Sequence, residues 1–389
     1  MDYCYFDNNA TTKIDDKVFE AMLAYLKDSY GNASSVQHKL GRQANHAIEK
    51  ARIQVADLLN ANPKEITFTS GATESINTVI KGISKTYKSK GNHVITSKTE
   101  HKAVLSACET VEKEGMLVSY LPVNKFGVID LEELKNGINS KTVLVSIMAA
   151  NNETGVLQPI AEIAKICQEK DVLFFCDATQ WIGKLPLDVQ SIPIDILCLS
   201  AHKIHGPKGI GALYIRRKSK PTQIPGLIVG GKQESGFRGG TYPVHQIAGL
   251  GEAAAQVDLN STQENLRNYF EESLLESVEE TEIRTKTVSR LPNSSNVHFK
   301  HVKGSELMTK LPGIAISSGS ACVSGDRDPS HVLKAMGYTD DEAYCSLRFS
   351  FSKYNNKEEI DFAVSQIKVA VENIRKNSPI WEMYKEGLI

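Results

Sequence analysis

The chain has 389 residues, 41% of them apolar, and 45 basic side chains against 46 acidic ones, for a formal charge of -1. That length is long for one core and comfortable for two domains, and the balance is that of an ordinary soluble globular protein. It excludes a strong positive field for direct nucleic-acid binding, and no run of roughly 18 or more apolar residues offers a membrane span.

Residues 1–15 show no helical period and are expected to pack against one of the domains. Ala44, Ala47, Ile48, Ala51, Val55 and Leu58 then recur at helical spacing. Strands are predicted at 65–69, 93–97, 142–148, 172–176, 194–199 and 211–215. Helices fall between them, one on Val104, Ala107, Cys108 and Val111 and another over 160–168, opened by Pro159. This alternation predicts a mostly parallel sheet with helices on both faces. Runs such as Val172-Leu173-Phe174-Phe175 suit strands buried on both sides.

Glycines cluster over 226–240, and an alanine-rich helix is expected over 243–257. Beyond Ser261 the pattern changes to α+β. Helices are expected over 263–275, 304–311, from Pro329, and from Lys357 to about Ile374. Strands are expected at 296–299, 315–317 and 346–350. The predicted division is a large domain of 16–260 and a small one of 1–15 with 261–389.

The N-terminal Met1 to Asp7 lacks the basic-then-apolar pattern of a secretory leader. The seven cysteines are scattered without a CxxC pair, which argues for a reducing, cytoplasmic setting and against structural zinc. Cys108, Cys167, Cys176 and Cys198 sit in apolar patterns and read as small core residues. His298 and His301 lack a ligand-rich neighbourhood, so no metal site is expected there.

Polar groups recur where strands end. Thr69-Ser70-Gly71-Ala72-Thr73-Glu74 leaves a strand and opens a helix, offering small residues, N–H donors and the Thr73 hydroxyl to an anion. It reads equally as a plain helix start with Glu74 in the first turn. His101, Asn152, Asp177 and Lys203 each follow a strand, and open α/β sheets bind ligands at that edge. A carboxylate for a pyridine nitrogen and a lysine for an aldehyde form the protein half of a pyridoxal 5'-phosphate (PLP) site. Gln180 is placed to reach the ring hydroxyl, and Ser200 and His202 to join the phosphate. Taken singly, Lys203 also reads as a solvated charge and His101 as a loop hydrogen-bonder. Arg348 alternates with Leu347 and Phe349, offering a fork for a carboxylate or a structural ion pair. Cys322 lies in a polar, glycine-containing run, as either a reactive thiol or a surface cysteine.

Together these runs closely resemble the cysteine desulfurases of the NifS/IscS-like type, within the class V aminotransferase family of fold type I PLP enzymes. The matching runs are Asp7 to Thr12, Gly31 to Ser35, Thr69 to Glu74, Glu100 to Val104, Asn151-Asn152-Glu153, Asp177 to Gln180, Ser200 to Lys203, Arg238 to Thr241, Ser317 to Cys322, and Arg348-Phe349-Ser350. They span nearly the whole chain.

The resemblance implies a seven-stranded, mostly parallel sheet in the large domain and a small α+β domain carrying the cysteine loop. It implies PLP on Lys203, with Asp177 and Gln180 at the ring and His101 stacked over it as an acid/base. Ala72, Thr73, Ser200 and His202 would bind the phosphate, joined by Thr241 from the partner subunit of a homodimer. Asn32, Asn152 and Arg348 would bind the substrate L-cysteine. Cys322 would take its sulfur as a persulfide, releasing alanine. An acceptor protein for iron-sulfur cluster assembly, transfer-RNA thiolation or DNA phosphorothioation would then receive the sulfur.

The long cysteine loop resembles the group that serves cluster scaffolds and thiolation enzymes. Ala33 and Ala201 replace residues often proline and glycine in relatives. The resemblance implies that longer relatives dock the scaffold through a further tail after the stretch matching Trp381 to Tyr384, and that mode of docking is not expected of this sequence. Alternatives on the same fold are a selenocysteine lyase, a cysteine sulfinate desulfinase, an aminotransferase or an inactive scaffold homologue.

Overall fold

The computed structural model describes residues 3–219, 221–260, 262–318 and 328–388. A seven-stranded sheet organises the first part. Its strands are β1 (Ile66–Thr69), β2 (His93–Ser97), β3 (Leu117–Leu121), β4 (Thr142–Ser146), β5 (Leu173–Asp177), β6 (Ile196–Ser200) and β7 (Gly211–Ile215). Their spatial order is β1-β7-β6-β5-β4-β2-β3. All neighbouring pairs are parallel except those of β7, which runs antiparallel to both β1 and β6.

Apolar side chains of single strands feed two different cores. Phe174 and Cys176 of β5, with Leu197 and Leu199 of β6, face one cluster containing Ala44, Ile48, Val55, Ile163 and Leu250. Phe175, Ile196 and Cys198 face the other, with Ile76, Ile80, Val104 and Val111. Continuous apolar runs therefore follow from burial on both faces.

Two differences from the sequence reading have physical causes. β3 was not foreseen. It is one of the two edge strands, pairs with β2 alone, and leaves Leu117 62% exposed, so it needs little apolar signal. β5 and β6 each extend farther than the apolar run suggests. Asp177 pairs with Cys198 and Ser200 with Gly211, so both polar residues close their strands from within the ladder.

The last part builds a second, antiparallel sheet from β8 (Thr281–Ile283), β9 (Ser294–Phe299), β10 (Ser317–Ser318) and β11 (Ser346–Ser350), in the order β10-β11-β9-β8. The strand expected at 315–317 is in fact two short ones. Ile314–Ala315 pairs with Cys4–Tyr5 at the N-terminus, and only Ser317–Ser318 joins this sheet. The helix expected from Pro329 begins at His331, after Ser330, whose side chain caps it by accepting from Leu333 N–H.

Helices Gln263–Ser277 and Lys357–Lys376 cover this sheet, and Phe270, Val297, Leu347, Phe349 and Ile367 fill the core with Cys4 and Phe6. The N-terminal segment thus starts in the small sheet's core. It then crosses to the large sheet, where Thr12 N–H donates to the His202 carbonyl at 2.9 Å.

Candidate active site

A cavity of about 600 Å³ lies at the carboxyl edge of the large sheet, between it and β11. Its floor is set by β1. After Thr69 the chain turns through Ser70 and Gly71 into helix Ala72–Thr86. Gly71 has φ 146°, a region closed to residues with a side chain. No side chain caps this helix, so its first N–H groups are left for an anion, and Ala72 and Thr73 line the cavity. Glu74 serves the turn rather than the cavity's ligand. Its carboxylate accepts from Ser70 N–H at 2.7 Å and from Arg238 at 3.0 Å.

Across the cup, Ser200 ends β6, and a single 3-10 turn, Ala201–Lys203, carries His202 and Lys203. Burial, then the charges of Lys203, Lys208 and Lys184, pull His202 down to about 4, so its imidazole is neutral at physiological pH. Lys203 Nζ donates to the carbonyls of Asn9 at 2.5 Å and Ala10 at 2.7 Å. Burial is the largest cause that brings its amine down to about 8; Arg348 adds to it, while Asp177 and Asp7 oppose it.

Asp177 is buried at the end of β5. Its Oδ1 accepts from Thr179 N–H at 3.0 Å and from the Cys198 thiol at 3.5 Å. Gln180 is fixed at both ends of its amide: Nε2 donates to the Asn9 carbonyl at 2.9 Å, and Oε1 accepts from Lys184 Nζ at 2.6 Å. Lys184 was missed by the sequence reading. Burial holds its pKa well below the usual lysine range, helped by Lys203 and Arg348. The available signal was its spacing of four residues from Gln180.

His101 caps helix Lys102–Lys113 by accepting from Ala103 N–H on Nδ1, which leaves the proton on Nε2. Burial lowers its pKa, Asp177 opposes that, and Lys203 and His331 assist. Beneath it, Glu100 is fully buried and accepts from Ser97 Oγ and Met148 N–H, tying β2 to the end of β4. Burial, with the Asp177 charge, pushes its carboxyl up to about 8.

The opposite wall is assembled from distant segments. Arg348 of β11 donates from Nη1 to the Asn152 carbonyl at 2.9 Å and from Nη2 to Asp7 Oδ1 at 2.6 Å. Arg348 and Asn152 both line the cavity, as do Thr11 and Lys208, which the sequence reading did not single out. Leu347 and Phe349 point into the small core, as their alternation with Arg348 predicted.

The structure therefore brings Ala72, Thr73, His101, Asn152, Asp177, Gln180, Ser200, His202, Lys203 and Arg348 around one cavity. It does not bring Asn32 or Thr241 there: both are exposed, and Asn32 Oδ1 accepts from Ser34 N–H. Cys322 lies outside the described residues. On either side of its run, Ser317 pairs with Arg348, and Ser330 Oγ donates to Glu153 at 2.5 Å.

This donor set fits PLP. A helix N-terminus, two hydroxyls and a neutral imidazole suit a phosphate; a carboxylate, an amide and an amine suit the ring and its aldehyde. The cavity volume falls in the usual range for small-molecule sites, roughly 300–1,000 Å³. Placing a Cβ on Gly71 would project it to 3.7 Å from Ser200 Oγ, into the cup itself.

Comparison with known proteins gives a consistent result. The family model described as Aminotransferase class-V matches residues 4–362. Cysteine desulfurase IscS of Neisseria meningitidis serogroup A is 47% identical over 388 residues, covering 99% of this chain and 96% of that protein. The protein of the same description from Histophilus somni strain 129Pt is 47% identical over 390 residues, with the same coverage. Among solved structures, a NifS-like protein superposes with a TM-score of 0.88 at 40% identity, covering 95% of this chain and 99% of that one. SspA, solved in complex with cysteine, gives 0.82 at 38% identity, covering 90% and 99%.

Proposed function

The chain belongs to the class-V aminotransferase family and is a PLP-dependent cysteine desulfurase, and from that premise we propose how its residues divide the work. One observation carries the proposal. Asp177, Lys203, His101 and the cup of Ala72, Thr73, Ser200 and His202 line the same cavity as Asn152 and Arg348.

PLP, when bound, supplies an electron sink that labilises bonds at the substrate's α-carbon. The cup holds its phosphate. Asp177 keeps a proton at the pyridine nitrogen, and Gln180 meets the ring hydroxyl. Lys203 provides the amine that anchors the aldehyde; a value of about 8 gives it a substantial neutral fraction near physiological pH. His101, neutral and bearing its proton on Nε2, faces the cavity as acid/base. Arg348 and Asn152 hold the carboxylate of L-cysteine.

The Cys322 thiolate then attacks the substrate sulfur. A sulfur–sulfur bond forms as the carbon–sulfur bond breaks, and the electron pair stays with the carbon skeleton. That skeleton takes up a proton and leaves as alanine, while the persulfide stays on Cys322 for an acceptor in cluster assembly or thiolation.

A homodimer of this chain is part of the proposal. Phe19, Leu23 and Leu26 form an exposed apolar stripe on helix Asp16–Lys27, and Tyr30 extends it, 73% exposed. Leu227, Ile228 and Val229 are exposed near the loop that carries Thr241. A second copy covering these surfaces accounts for their exposure, with Thr241 and Asn32 completing the partner's site. We assign residues 16–260 to a large domain and 1–15 with 261–389 to a small one. A reducing cytoplasm suits the buried thiols Cys108, Cys167, Cys176, Cys198 and Cys345.

The Cys322→Ser variant tests the sulfur step. It should keep bound PLP yet lose persulfide labelling and sulfide release from cysteine. Release at the native rate would overturn the assignment of Cys322.

A further inference from the structure

Arg348 is 6% exposed, and its guanidinium carries five N–H donors. One corner is held by the Asn152 carbonyl and another by Asp7. Its Nε–H is buried and, among the described residues, has no acceptor. A buried guanidinium donor without a partner is costly, so Arg348 is held in this pose by its two bonded corners.

Asp7 is set by its own turn. Its carbonyl accepts from Ala10 N–H at 3.0 Å and from the Tyr5 hydroxyl at 3.2 Å, and its backbone bridges Ser350 at the end of β11. Arg348 and Asn152 line the cavity; Asp7 does not. The carboxylate therefore stands behind the arginine, outside the space a substrate would take.

We propose that Asp7 is a positioning residue that selects for the substrate's carboxylate. With Asn152 it pins the guanidinium plane at two corners and neutralises it in the absence of substrate. That fixes the plane of the guanidinium at the cavity wall, where it meets the substrate's carboxylate. The site then discriminates an α-amino acid from the matching amine that lacks a carboxylate, because only the former pairs with the pinned guanidinium. This rests on the reading that Arg348 binds the substrate carboxylate.

The test uses PLP-loaded enzyme and titrates cofactor absorbance with L-alanine and with ethylamine, its carboxylate-free counterpart. The wild type, Asp7→Asn, Asp7→Glu and Arg348→Gln are compared. In D7N the affinity for alanine should fall about tenfold or more, the scale of one charge-assisted hydrogen bond, while ethylamine binding stays unchanged. KM for cysteine should rise with little change in kcat. D7E, which keeps the charge but moves it, should lie between wild type and D7N, and serves if D7N folds poorly.

Equal losses for both amines in D7N and D7E would mark a general distortion and overturn the proposal. So would wild-type alanine affinity in D7N alongside a loss in R348Q, which leaves the Arg348 reading intact. Unchanged alanine preference in R348Q would instead remove the Arg348 reading, and the proposal with it.

Discussion

The two walls of the cavity are built differently. On the wall proposed for the cofactor, each group sits on or just beyond a strand of one sheet: Thr73 after β1, His101 after β2, Asp177 on β5, Ser200 and Lys203 on and after β6. Neighbouring strands and two cores fix each position. The wall proposed for the substrate joins Arg348 to Asn152 and Asp7, 196 and 341 residues away in the chain, through single side-chain hydrogen bonds. A wall made by one sheet is set by secondary structure. A wall made by three segments is set by how the parts dock.

Variants can break or sharpen that contrast. Lys203→Ala should abolish turnover and the absorbance band of covalently held PLP; retained turnover would remove the cofactor wall's central residue. Asp177→Asn should keep PLP but lower kcat about a hundredfold or more, the scale for losing a preorganised electrostatic partner. A kcat near wild type would mean that the ring nitrogen is served elsewhere.

A coupling between the walls is also expected. Lys203 is depressed to about 8 by burial and then by Arg348. The rate of PLP uptake by apoprotein should rise with pH through about 8 and then flatten. Arg348→Gln removes one cause of the depression, so that midpoint should move upward. An unmoved midpoint would show that the two walls are electrostatically independent.

The smallest effect expected is on stability. The Glu100 carboxyl is raised from 4.5 to about 8 in the fold. Between those values the native protein keeps a proton that the unfolded chain has lost. Its contribution is therefore full at pH below 4.5 and is lost as pH rises toward 8. Relative to Glu100→Gln, wild-type apoprotein should lose Tm steadily across that window. Parallel curves would refute the burial of a protonated carboxyl there.

The contrast also explains what could be read in advance. Asp177 and Lys203 announce themselves because apolar runs buried on both faces end abruptly in charge. Arg348 showed its face through alternation with Leu347 and Phe349, but not its partner. Lys184 was invisible for the opposite reason: a lysine in a turn looks solvated, and only packing under Gln180 and Asn9 buries it. β3 was missed because an edge strand needs so little apolar sequence.

The sequence alone determined the alternating α/β frame, the polar residues at its strand ends and, through its matching runs, the family. Those features are local: a strand's periodicity and the residue that ends it are written within a few positions. Only the tertiary structure decided that Asp7 stands behind Arg348, that Asn9 receives Lys203 and Gln180, and that Glu100 is buried deeply enough to hold a proton. Each depends on chain segments meeting across the fold, where burial and neighbouring charge, not residue type, set what a side chain does.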